Sequence, residues 1–340
     1  MKPIKFNAPW DSLQHVLVGC SYRPEFYEPI KNTCIRDSLQ KIAYETEQDY
    51  QTLISTLENF SIKIERPYID LEKTIIDYVN LDGVLNYSNS KSFTLIPRPP
   101  MQPRDSVLII GEKFIAANDE ISWFEALIKN LELSTAQIAT RSQQSFDAPL
   151  VTVIGKHLIV DCREHSWLAE YIQQCCPDRI VVPVMIGGHN DAVFCPVSPG
   201  LIISTYHHTN YIDTFPGWEV KFIENQSWNA IPDWKQFKHS NVNKWWVPES
   251  DNNTEFANFV NTWLTNWTGY VQETVFDVNM LQIDSKTVLV NNYNQEMFEW
   301  FKIKKIEPII VPFRHRFFCD GGIHCITADL YREGEANQYL

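Results

Sequence analysis

Residues 105–117 read DSVLIIGEKFIAA, and this stretch sets a pattern that the rest of the chain repeats. An aspartate precedes an apolar run, a Gly-containing turn and a second apolar run, which is typical of a β-hairpin. The pattern returns as DAPLVTVIGKHLIV from Asp147, as DAVFCPVSPGLIIS from Asp191 and as DVNMLQIDSKTVLV from Asp277. Four copies of one arrangement predict a repeat architecture.

The two ends of the chain predict a fifth unit. WDSLQHVLVGC at 10–20 and GGIHCITADLY at 321–331 each read as one strand, and residues 37–60 carry apolar residues at helical spacing. The predicted fold class is therefore α/β, with five ββαβ modules in a closed ring around a central site. Equivalent strand ends converge in a ring, so one group of side chains is expected at its centre: Asp105, Asp147, Asp191, Asp277 and Cys325. The alternative is that each aspartate is only a turn residue.

Composition limits the function. The chain has 340 residues and a formal net charge of −13, which argues against a nucleic-acid surface and suits a small cationic substrate. It has no apolar run long enough for a membrane span, and its start, MKPIKFNAPW, lacks the apolar stretch of a signal peptide. The eight cysteines include no CxxC pair. These features predict a reduced, cytoplasmic protein.

The repeat is interrupted between its third and fourth hairpins. A Trp-rich insertion at about 222–272 is predicted within one catalytic domain that spans 1–340. Apolar residues of the insertion fall on one helical face: Phe256, Phe259, Val260, Trp263, Leu264 and Trp267. A helix packed on the ring is the preferred interpretation, and a lid over the central site is the alternative.

Two short motifs carry the chemistry. Cys325 follows two glycines and His324, and the spacing His189-x-Asp191 would put both side chains on one face of a strand. Strand alternation sends His324 away from Cys325, so His189 is the predicted partner of the thiol. No other histidine has a carboxylate or cysteine at ligand spacing, so neither a metal nor another cofactor is predicted.

A thiol, an imidazole and several carboxylates suit one type of substrate. Carboxylates repel an acyl oxyanion but attract a guanidinium, whose parallel N–H donors match a carboxylate in bidentate fashion. A bound cation would also lower the pKa of the thiol and favour the thiolate, which is the nucleophile.

Several stretches, in order along nearly the whole chain, resemble the glycine amidinotransferase family of the guanidino-group-modifying, or pentein, superfamily: WDSLQHVLVG, RPPMQPRDSVLIIGEKFI, SFDAPLVTVIG, HNDAVFCPVSPGLIIS and GGIHCITADLYREG. The resemblance implies a five-bladed α/β propeller. It also implies Cys325 as nucleophile, His189 as general acid and base, and Asp147 as the carboxylate that orients His189. The implied substrate-binding set is Asp105, Asp191, Arg104, His208 and Gly322. No role is implied for Asp277.

The implied reaction moves an amidino group from arginine, or a similar guanidine, to an amine acceptor through an amidino-cysteine intermediate. Two departures from the family bear on specificity. His208 stands where the family has an arginine for the α-carboxylate, and Asp320 replaces one glycine of a triple glycine. The sequence therefore does not identify the acceptor amine. It also leaves open whether the chain forms a homodimer.

Two other functions remain as alternatives. An amidinohydrolase of the arginine deiminase kind would use nearly the same Cys, His and Asp set, with water replacing the amine. A non-catalytic pentein binding protein would be expected to lack the central thiol and imidazole, and both are present here.

Overall fold

The computed structural model describes residues 4–78, 96–118, 123–139, 142, 144–224, 253–264, 267–269 and 277–340. The strands in these residues form five small sheets. The three-stranded sheets share one plan: an antiparallel hairpin, then a helix, then a strand that pairs in parallel with the second strand of the hairpin. This plan is the ββαβ module that the hairpin repeat predicts.

The elements follow one another in chain order. The first module contains β1 (Ser12–Val18), α1 (Thr33–Asn59) and β2 (Lys63–Glu65). The second contains β3 (Val107–Ile110), β4 (Lys113–Ala116) and α2 (Phe124–Asn130). The third contains β5 (Val151–Ile154), β6 (His157–Asp161), α3 (Leu168–Cys175) and β7 (Ile180–Val184).

The fourth module contains β8 (Phe194–Ser198), β9 (Leu201–Ser204), the short helix α4 (Tyr211–Thr214) and β10 (Glu219–Phe222). Helix α5 (Thr254–Trp263) follows. The fifth module contains β11 (Leu281–Gln282), β12 (Thr287–Val290), α6 (Gln295–Lys304) and β13 (Glu307–Ile310). The short helix α7 (Arg316–Cys319) and the strand β14 (Thr327–Glu333) end the chain's regular structure.

All four predicted hairpins are present, and the chain ends pair as expected. Strand β14 runs antiparallel to β1, with Thr327 opposite Val18 and Asp329 opposite Val16. The last strand therefore completes the first module, and Cys325 lies directly before it. In the second module the third strand is reduced to a single parallel bridge between Phe114 and Ile138.

Asparagine side chains cap three of the helices. Asn32 accepts hydrogen bonds from the N–H groups of Cys34 and Ile35 at the start of α1, at 3.0 and 3.2 Å. Asn253 and Asn294 cap α5 and α6 in the same way. An asparagine at this position satisfies backbone donors that have no partner inside the helix, so it fixes where each helix begins.

The described part of the Trp-rich insertion packs on α1. Residues Phe256, Phe259, Val260 and Trp263 of α5 are buried in the cluster that also contains the apolar face of α1. Trp267 donates its indole N–H to the carbonyl of Ile96 at 3.1 Å. The other four tryptophans of the insertion, Trp228, Trp234, Trp245 and Trp246, lie in residues 225–252, outside the described residues. The structure therefore shows a packed helix only for α5.

Within the described ranges, the helices are too short or too polar to cross a bilayer.

Candidate active site

Three of the predicted aspartates lie in short 3₁₀ turns that precede the first strands of neighbouring modules. Asp105 ends the turn before β3, Asp147 begins the turn before β5, and Asp191 lies within the turn before β8. These turns contact one another in sequence. The repeat therefore places three carboxylates at one end of the strands, where their charges act on each other.

His189 lies between two of these carboxylates. Its Nε2 is 3.3 Å from Oδ2 of Asp147, and its Nδ1 is 3.9 Å from Oδ1 of Asp105. His189 precedes the turn Asn190–Ala192, so it does not share a strand face with Asp191 as the H-x-D spacing predicted. The turn instead sends the two side chains to different partners.

The carboxylates favour the imidazolium form of His189. Burial alone would lower its pKa, but the hydrogen bond with Asp147 and the charges of Asp105, Asp147 and Asp191 outweigh burial and raise the pKa of His189 to about 10. In return, the pKa of Asp147 is lowered, because the hydrogen bond and charge of His189 outweigh its burial. His189 is thus charged and can release a proton to a basic group.

The thiol of Cys325 contacts the third carboxylate, Asp191. Its Sγ is 3.6 Å from Oδ2 of Asp191 and 3.1 Å from Nδ2 of Asn279. Asn279 also donates Nδ2–H to Oδ2 of Asp191 at 3.1 Å. Its Oδ1 accepts the backbone N–H groups of His324 and Cys325 at 2.9 and 3.2 Å. One buried amide therefore fixes both the nucleophile and the carboxylate beside it.

His324 also reaches this carboxylate. Its Nδ1 donates to Oδ2 of Asp191 at 2.7 Å. Burial and the charge of Arg104 lower the pKa of His324, so it donates as a neutral imidazole. The prediction that His324 and Cys325 point to opposite faces was wrong, because β14 begins only at Thr327 and both residues belong to the preceding turn, where side chains do not alternate.

The surroundings of Cys325 suppress its thiolate form. Burial, followed by the charges of Asp191 and Asp105, raises the pKa of the Cys325 thiol well above its ordinary range. Burial also raises the pKa of Asp105 to about 6, although His189 and Arg98 oppose this. Burial has the same direction for Asp191, but the hydrogen bond with His324 and nearby positive charges lower the pKa of Asp191 to about 2. Asp191 therefore stays ionised at neutral pH and supplies a negative charge next to the thiol.

Two carboxylate oxygens in this cluster are buried and lack a hydrogen-bond partner. They are Oδ1 of Asp105 and Oδ1 of Asp191. A buried oxygen that accepts no hydrogen bond costs free energy, typically about 1–3 kcal/mol, and such groups are rare outside functional sites. The two carboxylates lie near the imidazole of His189 and the thiol of Cys325, respectively, and a ligand with N–H donors would satisfy these oxygens.

The glycines before Cys325 allow this packing. A Cβ on Gly322 would lie 2.6 Å from Oδ1 of Asn279 and 2.9 Å from Nδ2 of Asn291. Gly322, a predicted substrate-binding residue, thus lies against the amide that holds the thiol. Asp320, which stands in place of a family glycine, has φ of +57°. This left-handed conformation favours glycine but is one that aspartate tolerates better than most residues.

Two predicted substrate-binding residues have other contacts. Nη2 of Arg104 is 2.6 Å from Oδ2 of Asp329, and its Nε donates to the carbonyl of Thr327 at 2.9 Å. The guanidinium of Arg104 is thus engaged in a buried ion pair, close enough to Asp191 for its charge to act on that carboxylate. His208 packs edge-on against Tyr211, with ring centroids 4.8 Å apart, and burial lowers its pKa. The structure joins neither residue to the thiol.

The repeat aligned Asp277, but Asn279 is the residue of the fifth module that contacts the thiol. Asp277 instead exerts its charge on Arg316. Asn279 lies two residues before β11, just as Asp105 lies two residues before β3. This equivalent position in the repeat is the sequence feature that could have identified Asn279 as a site residue.

Asp161 positions the loop before His189. Its buried carboxylate accepts the backbone N–H groups of Ile186, Gly187 and Gly188 at 2.9, 2.7 and 3.1 Å, and that of Arg163 at 3.2 Å. The sequence analysis did not identify Asp161. In the part of the chain that the structure describes, no three His, Cys, Asp or Glu side chains are grouped as a metal site requires.

Comparison with known proteins agrees with the predicted resemblance. No family model matches the chain. Over 211 residues it is 23% identical to the L-arginine:L-lysine amidinotransferase of Pseudomonas savastanoi pv. phaseolicola, a match that covers 60% of this chain and 49% of that protein. The chain thus spans about half the length of this curated relative. The similarity to amidinotransferases that the motifs indicated is therefore confirmed.

Solved structures share the fold. SxtG, an amidinotransferase from Microseira wollei in the saxitoxin biosynthetic pathway, superposes with a TM-score of 0.70 at 17% identity, covering 100% of both chains. The inosamine-phosphate amidinotransferase StrB1 of Streptomyces griseus gives 0.69 at 14% identity, covering 99% of both. DDAH of Pseudomonas aeruginosa gives 0.55 at 9% identity, covering 94% of this chain and 99% of that one. The chain thus has the same α/β fold as these solved enzymes.

Proposed function

We propose that this protein is an amidinotransferase that moves an amidino group from a guanidine donor, with arginine as the expected donor, to an amine acceptor. The observation that carries the proposal is that Asp105 and Asp191, whose charges both act on the thiol of Cys325, each keep one buried oxygen, Oδ1, without a hydrogen-bond partner. A guanidinium offers N–H donors on two edges, so one cation can satisfy two carboxylates that flank its carbon.

Substrate binding would change the state of the nucleophile. Burial and the charges of Asp191 and Asp105 favour the protonated thiol of Cys325. A bound guanidinium neutralises these charges and adds a positive charge near Sγ, so the thiol loses its proton to solvent when the donor is present. The reactive thiolate would then form only against its substrate.

The first half-reaction uses the protonated imidazole. The thiolate of Cys325 forms a bond to the guanidino carbon, and His189 gives its proton to the departing nitrogen as the C–N bond breaks. An amine leaves, and an amidino group remains on sulfur. Protonation is required because an amine anion is a very poor leaving group, and the raised pKa keeps His189 charged for this step.

The second half-reaction reverses these roles. The acceptor amine attacks the amidino carbon, neutral His189 takes its proton, and the C–S bond breaks to restore the thiolate. Asp147 holds the imidazole between the two steps through the 3.3 Å contact to Nε2. Nothing in this mechanism requires a metal or an organic cofactor.

We further infer that the five sheets close into a five-bladed propeller within one domain that includes the Trp-rich insertion. Strand β14 pairs with β1 and also contacts β3 of the next module, and the turns before β3, β5 and β8 are contiguous. These contacts link the modules in the order that a ring requires.

Intact-protein mass spectrometry tests the function. Brief incubation with arginine and no acceptor should add about 42 Da to the wild type, the mass of an amidino group that replaces a proton, and should release ornithine. Cys325→Ser should not gain this mass. Accumulation of citrulline would instead indicate the hydrolase, in which ammonia leaves, the ornithine chain stays on the Cys325-bound carbon, and water then breaks the C–S bond. Failure of arginine and other guanidines to modify Cys325 would overturn the proposal.

A further inference from the structure

Arg98 places a guanidinium of the protein itself beside Asp105. Its Nη1 lies 3.7 Å from Oδ2 of Asp105. The charge of Arg98 lowers the pKa of Asp105 and also that of Asp147, so it acts on two carboxylates of the site. The protein itself therefore places at Asp105 a cation with the chemistry of the expected substrate.

Arg98 is anchored to the wall of the site independently of Asp105. Its Nη2 donates to Oε1 of Gln102, and Nε2 of Gln102 donates to the carbonyl of Cys319. Gln102 is only 5% exposed, and it also lies against Gly321, since a Cβ there would come within 2.9 Å of its Nε2. The guanidinium of Arg98 can thus leave Asp105 while Gln102 keeps it in the site.

Arg98 is also accessible to a ligand. Its side chain is 29% exposed. The two basic residues that the sequence predicted to bind substrate, Arg104 and His208, are less suited to an anion. Arg104 is paired with Asp329, and burial lowers the pKa of His208, which leaves that imidazole neutral at pH 7.

Charge balance at the site points to the same residue. Asp105, Asp147 and Asp191 contribute three negative charges against the positive charges of His189 and Arg98. A donor guanidinium balances the remaining charge. The carboxylate of a donor such as arginine lies at the other end of the molecule from the guanidinium, and pairing with it requires a cation that Asp105 no longer holds.

We propose that Arg98 determines donor specificity: the guanidinium of the donor displaces Arg98 from Asp105, and Arg98 then pairs with a carboxylate at the other end of the donor. This inference rests on the proposed amidino transfer. It identifies the donor class as guanidino acids rather than guanidines without an anionic group. Arg98 would pair first with Asp105 and then with the carboxylate of the donor.

The test compares arginine with agmatine, which has the same guanidine but no carboxylate. For each donor, the rate of amidino-adduct formation on Cys325 is measured against donor concentration by mass spectrometry. Wild type should prefer arginine. Arg98→Gln should reduce the efficiency with arginine at least about tenfold, because a charge-assisted pair is lost. The same variant should keep or increase its efficiency with agmatine, since no internal guanidinium then competes for Asp105.

Two further variants complete the test. Arg98→Lys keeps the charge and should retain part of the preference for arginine. Arg36→Gln removes an arginine that pairs with its neighbour Asp37 on α1, and it should behave as wild type. The ratio of the two donors is measured on the same folded protein, so a general loss of stability does not change it.

The outcomes separate the two proposals. An arginine-to-agmatine ratio that is the same in Arg98→Gln and wild type would overturn the role of Arg98 and leave amidino transfer intact. Wild type that forms no adduct with either guanidine, or with any other, would overturn the proposed function and this inference with it.

Discussion

The side-chain amide of Asn279 lies 3.1 Å from the Sγ of Cys325. The same amide donates to Asp191, and its oxygen accepts the N–H of Cys325. Asn279 is 1% exposed. A buried donor of this kind stabilises a developing thiolate without adding charge, and it holds sulfur and carboxylate at a fixed separation.

Replacing this amide should impair the first half-reaction. Asn279→Asp has the same shape but exchanges the N–H donor for an acceptor next to Asp191 and the thiol. We expect adduct formation at pH 7.5 to slow by about 10²- to 10³-fold, the usual cost of losing one such donor. Asn292→Asp, at a more exposed asparagine, is the matched control and should retain wild-type rates. Equal rates in Asn279→Asp and wild type would contradict this role.

A second prediction concerns Asp191, whose charge raises the pKa of the Cys325 thiol. Asp191→Asn should lower this pKa, so more thiolate is present at neutral pH. Alkylation of Cys325 by iodoacetamide at pH 7.5 should therefore be faster in the variant, about tenfold for each unit of pKa. Amidino transfer should be slower, since the guanidinium loses a carboxylate. Peptide mapping distinguishes Cys325 from the exposed Cys34. Slower alkylation in the variant would refute the argument.

The pH profile of adduct formation should be bell-shaped. Asp105, with a pKa of about 6, must be ionised to bind a cation, and the Cys325 thiol, whose pKa is raised, must lose its proton to react; the efficiency therefore falls as pH decreases, and it falls more steeply below about 6. His189, with a pKa of about 10, must be protonated to release the amine, so the efficiency falls as pH rises through about 10. Because these groups interact, the two limbs report the cluster as a unit. A profile with its acidic limb near pH 4 would show that Asp105 is not the group that titrates.

Sequence alone was sufficient for the modules and for most of the cluster. The hairpins could be predicted because each strand pair repeats an aspartate, two apolar runs and a tight turn, and such local patterns are preserved when strands fold. Asp105, Asp147, Asp191 and Cys325 occupy equivalent positions in these units. Their approach therefore follows from the architecture rather than from any one motif.

The remaining contacts depend on geometry that a repeat does not encode. Asp191 lies in a 3₁₀ turn, and His189 directly before it, where a strand was expected, so the side-chain period of two did not apply. The ion pair of Arg104 with Asp329 joins the second module to β14 across most of the chain length. The neighbouring basic residue, Arg98, lies outside the repeat, and no local pattern links it to Asp105.

The carboxylate of Asp161 should be required for an ordered loop before His189. Asp161→Asn would direct an NH₂ group at backbone N–H donors, which leaves buried groups without partners. We expect a loss of about 2–4 kcal/mol in the free energy of unfolding, together with slower adduct formation as His189 loses its position. Asp178→Asn, at a side chain that is 77% exposed, should change stability by no more than about 0.5 kcal/mol. Urea unfolding of both variants provides the comparison, and equal stabilities would contradict the prediction.

Two glycines beside the site should respond very differently to a methyl group. Gly322→Ala would place Cβ 2.6 Å from Oδ1 of Asn279, so this oxygen must move and take with it the amide that contacts Cys325. A Cβ on Gly188 would meet no atom within 4 Å. We expect Gly322→Ala to slow adduct formation at least about tenfold, since displacements of about 1 Å at a reacting group can cost that much or more. Gly188→Ala should be nearly silent. The same assay on both variants, with thermal unfolding as a check on folding, tests whether close packing at residue 322 holds the nucleophile in place. A folded Gly322→Ala protein with wild-type rates would show that the amide can shift without loss of function.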